Sequence, residues 1–385
     1  MKLLIINTHP IEYHVNLYRL LNKELKDNFK VLYLWDRYKN YSEERKPNQS
    51  FIENNYLPFD LRNDLLKGYS YEFITNYNKK ARYGFFDFFS FGLFEKIKLF
   101  KPNYLIFYGY NNLISIIVLL FCKFNKIKFI LKGEVTKDSN KKEKFFIKLY
   151  KKVFFYLCDC IAYSCNKNLN YFKGFTPKKR FINMPCAVNN QTLQQIKKEM
   201  SYKKIKTELN KKSFNFIYAG KFIERKNLDF MIEHFITTFK SNKNYKLNLI
   251  GNGIKENYLK HKYSKYADKV KFINHMEYND LYQNLSAANV LVITSHYDPS
   301  PKIINECLNF EIPIISSDSV GTTGDLVIDG FNGYIFKKDD KHSYIKALQK
   351  ITIEENYKFL KANCLISLKA WKDEISVKEL INLES

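Results

Sequence analysis

Disulfides and metal clusters have little to build on in this chain. It carries 7 cysteines in 385 residues, an odd number with no regular framework, which argues against a disulfide scaffold and for a reduced intracellular compartment. Cys158, Cys160 and Cys165 come nearest to a metal-binding set. They lack a paired C-x-x-C spacing and read as buried thiols. Long apolar runs are missing too. The longest, Leu113 to Phe121, falls well short of the ~20 residues that span a bilayer. The opening Met1–Asn7 is too short for a signal peptide and reads as a first strand. No Asp-x-Asp occurs to hold a divalent cation, no P-loop, and no Ser-His-Asp or metal-ligand pattern. Gly251-Asn252-Gly253 begins like a dinucleotide turn, but Glu256 stands where the third glycine belongs, a weak signal for NAD. Acidic side chains are in deficit, 39 Asp+Glu against 63 Lys+Arg, for a formal net charge of +24. Such an excess favours anionic partners, although a generally lysine-rich composition accounts for it equally well. Aromatics are plentiful, 29 Tyr and 33 Phe. With no RNP or helix-turn-helix signature among them, no nucleic-acid partner is expected.

What is present points to an α/β chain. A length of 385 residues suits two domains, each with its own core. Apolar runs at Leu3–Ile6, Lys30–Leu34, Tyr104–Tyr108, Lys128–Leu131 and Cys160–Tyr163 read as strands separated by helices, the alternation of a parallel sheet covered on both faces. Residues 40–90 read as a long insertion or loop. The polar stretch Gln191–Lys212 reads as a connector, and a second alternating unit begins at Phe214.

The most informative stretch is His296-Tyr297-Asp298-Pro299-Ser300-Pro301-Lys302-Ile303-Ile304-Asn305-Glu306. Asn289–Thr294 before it reads as a buried strand, and Pro301–Asn309 as a helix with proline in its first turn. Asp298 is thereby placed in a strand-to-helix loop and Glu306 about two turns into the helix. The helix start offers free amides, Ile303 and Ile304 among them, and a positive dipole end to a phosphate. Carboxylates suit sugar hydroxyls and amides suit phosphate, so the combination suggests a nucleotide-sugar site.

This segment resembles the E-x7-E signature of the retaining glycosyltransferases of family 4, also called group 1, in its polysaccharide-assembly type. Other segments resemble the same family in order: Phe216 to Asn227, with Gly220-Lys221 and Arg225-Lys226; Leu247 to Gly253; Ile312–Ser316; and Asp329–Tyr334. The resemblance covers 214–336. It implies the GT-B architecture, two Rossmann-like doubly wound domains facing a central cleft. The expected division is 1–190 for an acceptor-side domain and 191–365 for the nucleotide-sugar domain, with 366–385 crossing back onto the first. It implies a glycosyltransferase of hexosyl type moving sugar from a nucleotide-diphosphate donor to a glycan or polyprenyl-lipid-linked acceptor. Lys221, Arg225 and Lys226 would contact the diphosphate together with Ile303, Ile304 and Gly251, while Glu306 would hold the donor ribose. Asp298 stands where the family usually has a glutamate against the donor sugar. With lysines and amides forming an electrostatic clamp, no cofactor and no metal is expected. A sugar-nucleotide epimerase or phosphorylase of the same architecture and a basic nucleic-acid binder are the alternatives.

Two readings concern the first half. Glu134, after the strand at Lys128, takes a place where relatives carry a donor-sugar histidine, and His9 follows the first strand on the acceptor side. Both are candidate catalytic residues, and each also fits a plain loop role. Lys141–Tyr156 reads as an amphipathic helix with Phe145, Phe146, Leu149, Val153 and Phe154 on one face. It is either a core helix with solvated lysines or an interfacial helix on an anionic inner-membrane surface. The expected location is cytoplasmic, peripheral to the membrane in the second case.

Overall fold

The structure, a computed structural model, describes residues 1–36, 65–75, 84–88, 90, 92–140, 143–201, 209 and 212–384. Most of the stretch 40–90 and Lys141 lie outside the described residues.

Strands buried on both faces need apolar side chains in continuous runs, and such runs set the two sheets. The first contains β1 (Leu3–Asn7), β2 (Phe29–Tyr33), β3 (Tyr71–Phe73), β4 (Tyr104–Tyr108), β5 (Lys128–Lys132), β6 (Cys160–Tyr163) and β7 (Arg180–Asn183). Their order is β3-β2-β1-β4-β5-β6-β7, and every neighbouring pair is parallel. The second contains β8 (Phe214–Ala219), β9 (Tyr245–Ile250), β10 (Val270–Ile273), β11 (Val290–Ile293), β12 (Ile314–Ser317) and β13 (Gly333–Phe336). It runs β10-β9-β8-β11-β12-β13, again all parallel. Both sheets are doubly wound. Strand order reverses between β1 and β4 in one and between β8 and β11 in the other, and at such points open α/β sheets bind ligands.

The chain divides into Met1–Cys186 with Asp373–Ser385, and Ala187–Lys372, rather than at 190 and 365. The closing helix Asp373–Ile381 belongs to the first unit, where Asp373 accepts from the Asn16 amide at 2.7 Å and Tyr104 donates to the Leu383 carbonyl at 3.1 Å. The stretch read as a connector begins instead with a helix, Asn190–Ser201. An amide ladder pins that helix to the helix Lys302–Asn309. Asn190 Oδ1 accepts from Asn305 and Asn309 at 3.0 and 2.8 Å, and the Gln194 amide donates to Asn309 Oδ1 at 3.0 Å. Polar residues at helical spacing pack here through their amides, which hydropathy alone does not register. Among the described residues no helix is long and apolar enough to cross a membrane.

Candidate functional site

In the second unit the site is built where β8 and β9 end. The chain turns at Gly220, and Gly251 beyond β9 lies so near that a Cβ there would sit 2.0 Å from the Gly220 carbonyl oxygen; its φ is +141. Hydrogen bonds lock the approach: Phe222 N–H to Asn252 O at 2.7 Å and Lys255 N–H to Phe222 O at 3.0 Å. Gly251 therefore shapes the loop that carries Lys221, Arg225 and Lys226. Gly251→Ala is expected to cost about 2 to 4 kcal/mol, from overpacking plus a strained backbone, read as a lowered midpoint in urea unfolding.

Lys226 ends a short turn from Glu224, closed by Asn227 in the left-handed region at φ 53. The Thr294 hydroxyl, just past β11, donates to the carbonyls of Lys226 and Asn227, each at 3.0 Å. That bond fixes the lysine against the loop following β11. There Lys226 Nζ forms an ion pair with Asp298, and the two side chains are only 13% and 11% exposed. Arg225 adds a second cation, its Nη1 lying 3.8 Å from Asp298 Oδ2 and donating to the Tyr297 carbonyl at 3.0 Å. Its guanidinium also lies over the Tyr297 ring at 5.0 Å. Lys226 and Asp298 stand 72 residues apart in sequence, yet they meet because β8 and β11 are neighbours at the reversal of strand order. Beneath them Tyr218 donates to the Lys221 carbonyl at 3.0 Å. Burial, with the nearby Asp298 charge adding to it, pushes the Tyr218 phenol well above its ordinary range. Lys221 itself is exposed, and among the described residues no ion pair is recorded for it.

The Asp298 backbone is held from the far side, its carbonyl accepting from Gly321 N–H at 2.7 Å. A Cβ at Gly321 would come within 2.0 Å of the Pro299 carbonyl oxygen, so the approach of these two loops needs glycine. Pro301 is extended and caps the helix Lys302–Asn309 rather than forming its first turn. Every residue from Ile303 to Asn309 is buried, Glu306 at 4% exposure. Of the two candidate amides, Ile304 N–H is directed at the Pro301 carbonyl at 3.2 Å. Thr294, read from sequence as the end of a strand, and Gly321, one of the positions of the family resemblance, carry no charge, and nothing in their spacing shows that they hold these loops. Ser295 Oγ and Thr322 Oγ1 beside this loop are buried without a hydrogen-bond partner among the described residues.

In the first unit Glu134 is only partly exposed. Lys132 at the end of β5 is 4% exposed, and its ammonium donates to Ser164 Oγ at 2.6 Å and to the Met184 carbonyl at 2.7 Å. Ser164 in turn donates to Glu134 Oε1 at 2.8 Å. At the end of β1, Asn7 Nδ2 meets His14 Nδ1 at 2.9 Å and Tyr18 Oη at 3.0 Å. The His14 ring packs on Tyr108 at 4.6 Å between centroids. His9 bonds the Thr8 hydroxyl at 2.9 Å and sets its ring against Trp35. His14, Tyr108, Lys132 and Asp373 line one small cavity of about 10 Å³, room for about one water. Among the described residues no three His, Cys, Asp or Glu side chains gather as ligands for a cation. Cys158, Cys160 and Cys165 are buried free thiols.

Residues 201–362 match the family of glycosyl transferases group 1. An uncharacterized glycosyltransferase of Methanocaldococcus jannaschii is 29% identical over 238 residues, 58% of this chain and 57% of that protein. A Campylobacter jejuni enzyme, GalNAc-alpha-(1->4)-GalNAc-alpha-(1->3)-diNAcBac-PP-undecaprenol alpha-1,4-N-acetyl-D-galactosaminyltransferase, is 24% identical over 210 residues, 54% of each chain. The chain thus spans little more than half the length of the curated relatives it matches. Among solved structures, Anabaena HepE in complex with UDP superposes over 100% of both chains with a TM-score of 0.69 at 14% identity. Sucrose-phosphate synthase from Thermosynechococcus elongatus does so over 98% of this chain and 96% of its own, with a TM-score of 0.68 at 14% identity. At such identities the structural likeness speaks for the fold. The chain has the GT-B fold, and its residues 201–362 match the glycosyl transferases of group 1.

Proposed function

We propose that the chain is a retaining, metal-independent glycosyltransferase that takes a hexosyl group from a nucleoside diphosphate sugar. The observation that carries this reading is the cluster of Lys226, Arg225 and Asp298 at the reversal of strand order between β8 and β11. Breaking the bond between the anomeric carbon and the diphosphate puts negative charge on the leaving group and positive charge on the sugar ring. Lys226 and Arg225, with Lys221 on the same loop and the Ile303 amide, would meet the first charge. Asp298 would meet the sugar, and Glu306 the ribose hydroxyls. Fixed cations in a site shielded from water stabilise such a leaving group without rearranging during reaction. The acceptor hydroxyl would attack from the side the diphosphate leaves, handing its proton to the departing phosphate oxygen. Glu134 and His9 are the first-unit candidates for ordering that acceptor, with Lys132 and Ser164 positioning Glu134.

HepE has been solved with UDP-glucose, which makes uridine donors the first to test. The Campylobacter relative is named for extending a polyprenyl diphosphate-linked glycan, which supports an acceptor of that class, a precursor of a cell-surface glycan. The free, buried cysteines support a cytoplasmic setting.

The test is a panel of nucleotide sugars with nucleoside diphosphate release as the signal, followed by the anomeric configuration of the product by NMR. Release from one donor, undiminished in EDTA, with the donor's configuration kept, is the expected result. An inverted product or activity abolished by EDTA contradicts the proposal, as does consumption of donor without transfer to any acceptor. Glu306→Gln preserves shape and removes charge. It is expected to weaken donor binding about tenfold, the worth of one charged hydrogen bond; unaltered affinity by titration would remove Glu306 from the ribose.

A further inference from the structure

Of the apolar stripe its periodicity suggests, the helix Phe145–Leu157 turns only Phe154 inward. Its buried side consists of Lys151, Phe154 and Phe155. Phe154 and Phe155 enter the first unit's core beside Tyr110 and Phe129. Lys151, 5% exposed, pairs with Glu143 and donates to Tyr171 Oη at 2.9 Å. The helix is therefore firmly seated, and its other side faces out. On that side Phe145 is 73% exposed, Phe146 80%, Leu149 48% and Val153 50%. Lys144, Lys148 and Lys152 are exposed alongside, and the helix contains no carboxylate. A helix that only covers a core shows solvent a polar face. This one shows large apolar side chains at i, i+4 and i+8 beside lysines at the same spacing, while its polar Lys151 is inside.

We infer that this outer face docks on an anionic phospholipid bilayer. Charge selects the occupant. A second copy of the chain would bring the three lysines against their own kind, on a molecule already at +24. An anionic bilayer accepts both halves of the stripe. Phe146 and Leu149 sink into the boundary between headgroups and acyl chains, and the lysines stay among the phosphates. The inference goes beyond the proposed sugar transfer and is independent of it, since the helix lies in the first unit and the diphosphate residues in the second.

Sedimentation of the full chain with vesicles of phosphatidylcholine alone, or with phosphatidylglycerol added, tests it. Wild type is expected to partition onto the anionic vesicles at least about tenfold more strongly than onto the neutral ones. Phe146→Ser/Leu149→Ser and, separately, Lys148→Glu/Lys152→Glu are each expected to lose about tenfold in partitioning. Melting temperature and nucleotide binding should stay unchanged in both, because the substituted side chains are exposed. Equal binding to neutral and anionic vesicles overturns the inference, and so does wild-type partitioning by the two variants. Self-association that the Phe146→Ser/Leu149→Ser change abolishes, without lipid binding in the wild type, overturns it in favour of a second copy.

Discussion

A chain carrying Lys226→Ala is expected to turn over its donor roughly 10²- to 10³-fold more slowly than wild type, the usual cost of removing one fixed charge aimed at a developing anion. The lysine is well placed for such an effect. Its backbone is tied to Thr294, so the ammonium arrives at the β11 loop already positioned, and its side chain is largely shielded from water. Lys226→Arg, which keeps the charge, should recover part of the loss. Stability has to be separated from chemistry, because removing one member of a half-dried ion pair leaves Asp298 with only Arg225, 3.8 Å away, at a cost of about 1 to 3 kcal/mol. The double variant Lys226→Ala/Asp298→Ala removes both charges. It should regain much of the melting temperature and remain slow. Steady-state kinetics beside thermal unfolding make the distinction, and turnover within a fewfold of wild type in Lys226→Ala would defeat the electrostatic clamp.

Asp298→Asn is expected to separate binding from turnover. Asp298 is the partner of Lys226, so an incoming diphosphate must compete with the carboxylate for the same ammonium. Removing the carboxylate's charge should leave UDP affinity equal to or higher than that of wild type. Turnover should fall about 10- to 100-fold, because a contact that counts in the transition state is lost without a matching loss in the ground state. Calorimetric titration with UDP, together with donor turnover by the same preparation, reads both quantities. Parallel losses in the two would assign Asp298 to holding the loop alone.

Much of the second unit is legible in the sequence because its strands are short apolar runs and its loops carry charged or glycine-rich motifs in a recognisable order. The meeting of Lys226 with Asp298 is not legible from spacing. It depends on a sheet in which the first and fourth strands of the unit are neighbours. The first unit offers less pattern. β3 is three residues with Glu72 at its centre, and β7 has only Phe181 and Ile182 as apolar members, too little pattern to distinguish either from loop. The Lys132–Ser164–Glu134 chain spans adjacent parallel strands and needs their register, Lys132 opposite Ala162. Periodicity in Phe145–Leu157 put Phe154 on one stripe with Phe145, Phe146, Leu149 and Val153, but the core took Phe154 together with Phe155 and left the other four exposed, with Lys151 satisfied by Glu143 and Tyr171. The GT-B likeness and the group 1 match agree with the family resemblance read from residues 214–336.

The most direct measurement is calorimetric titration of wild type and of Lys226→Ala with UDP and the other nucleoside diphosphates, in EDTA throughout. One nucleotide should bind the wild type, and Lys226→Ala should bind it at least about tenfold more weakly, as expected when a charged hydrogen-bond donor to phosphate is removed. Binding that requires a divalent cation, or that is equally tight in both chains, would contradict a diphosphate held by Lys226 at the ends of β8 and β11.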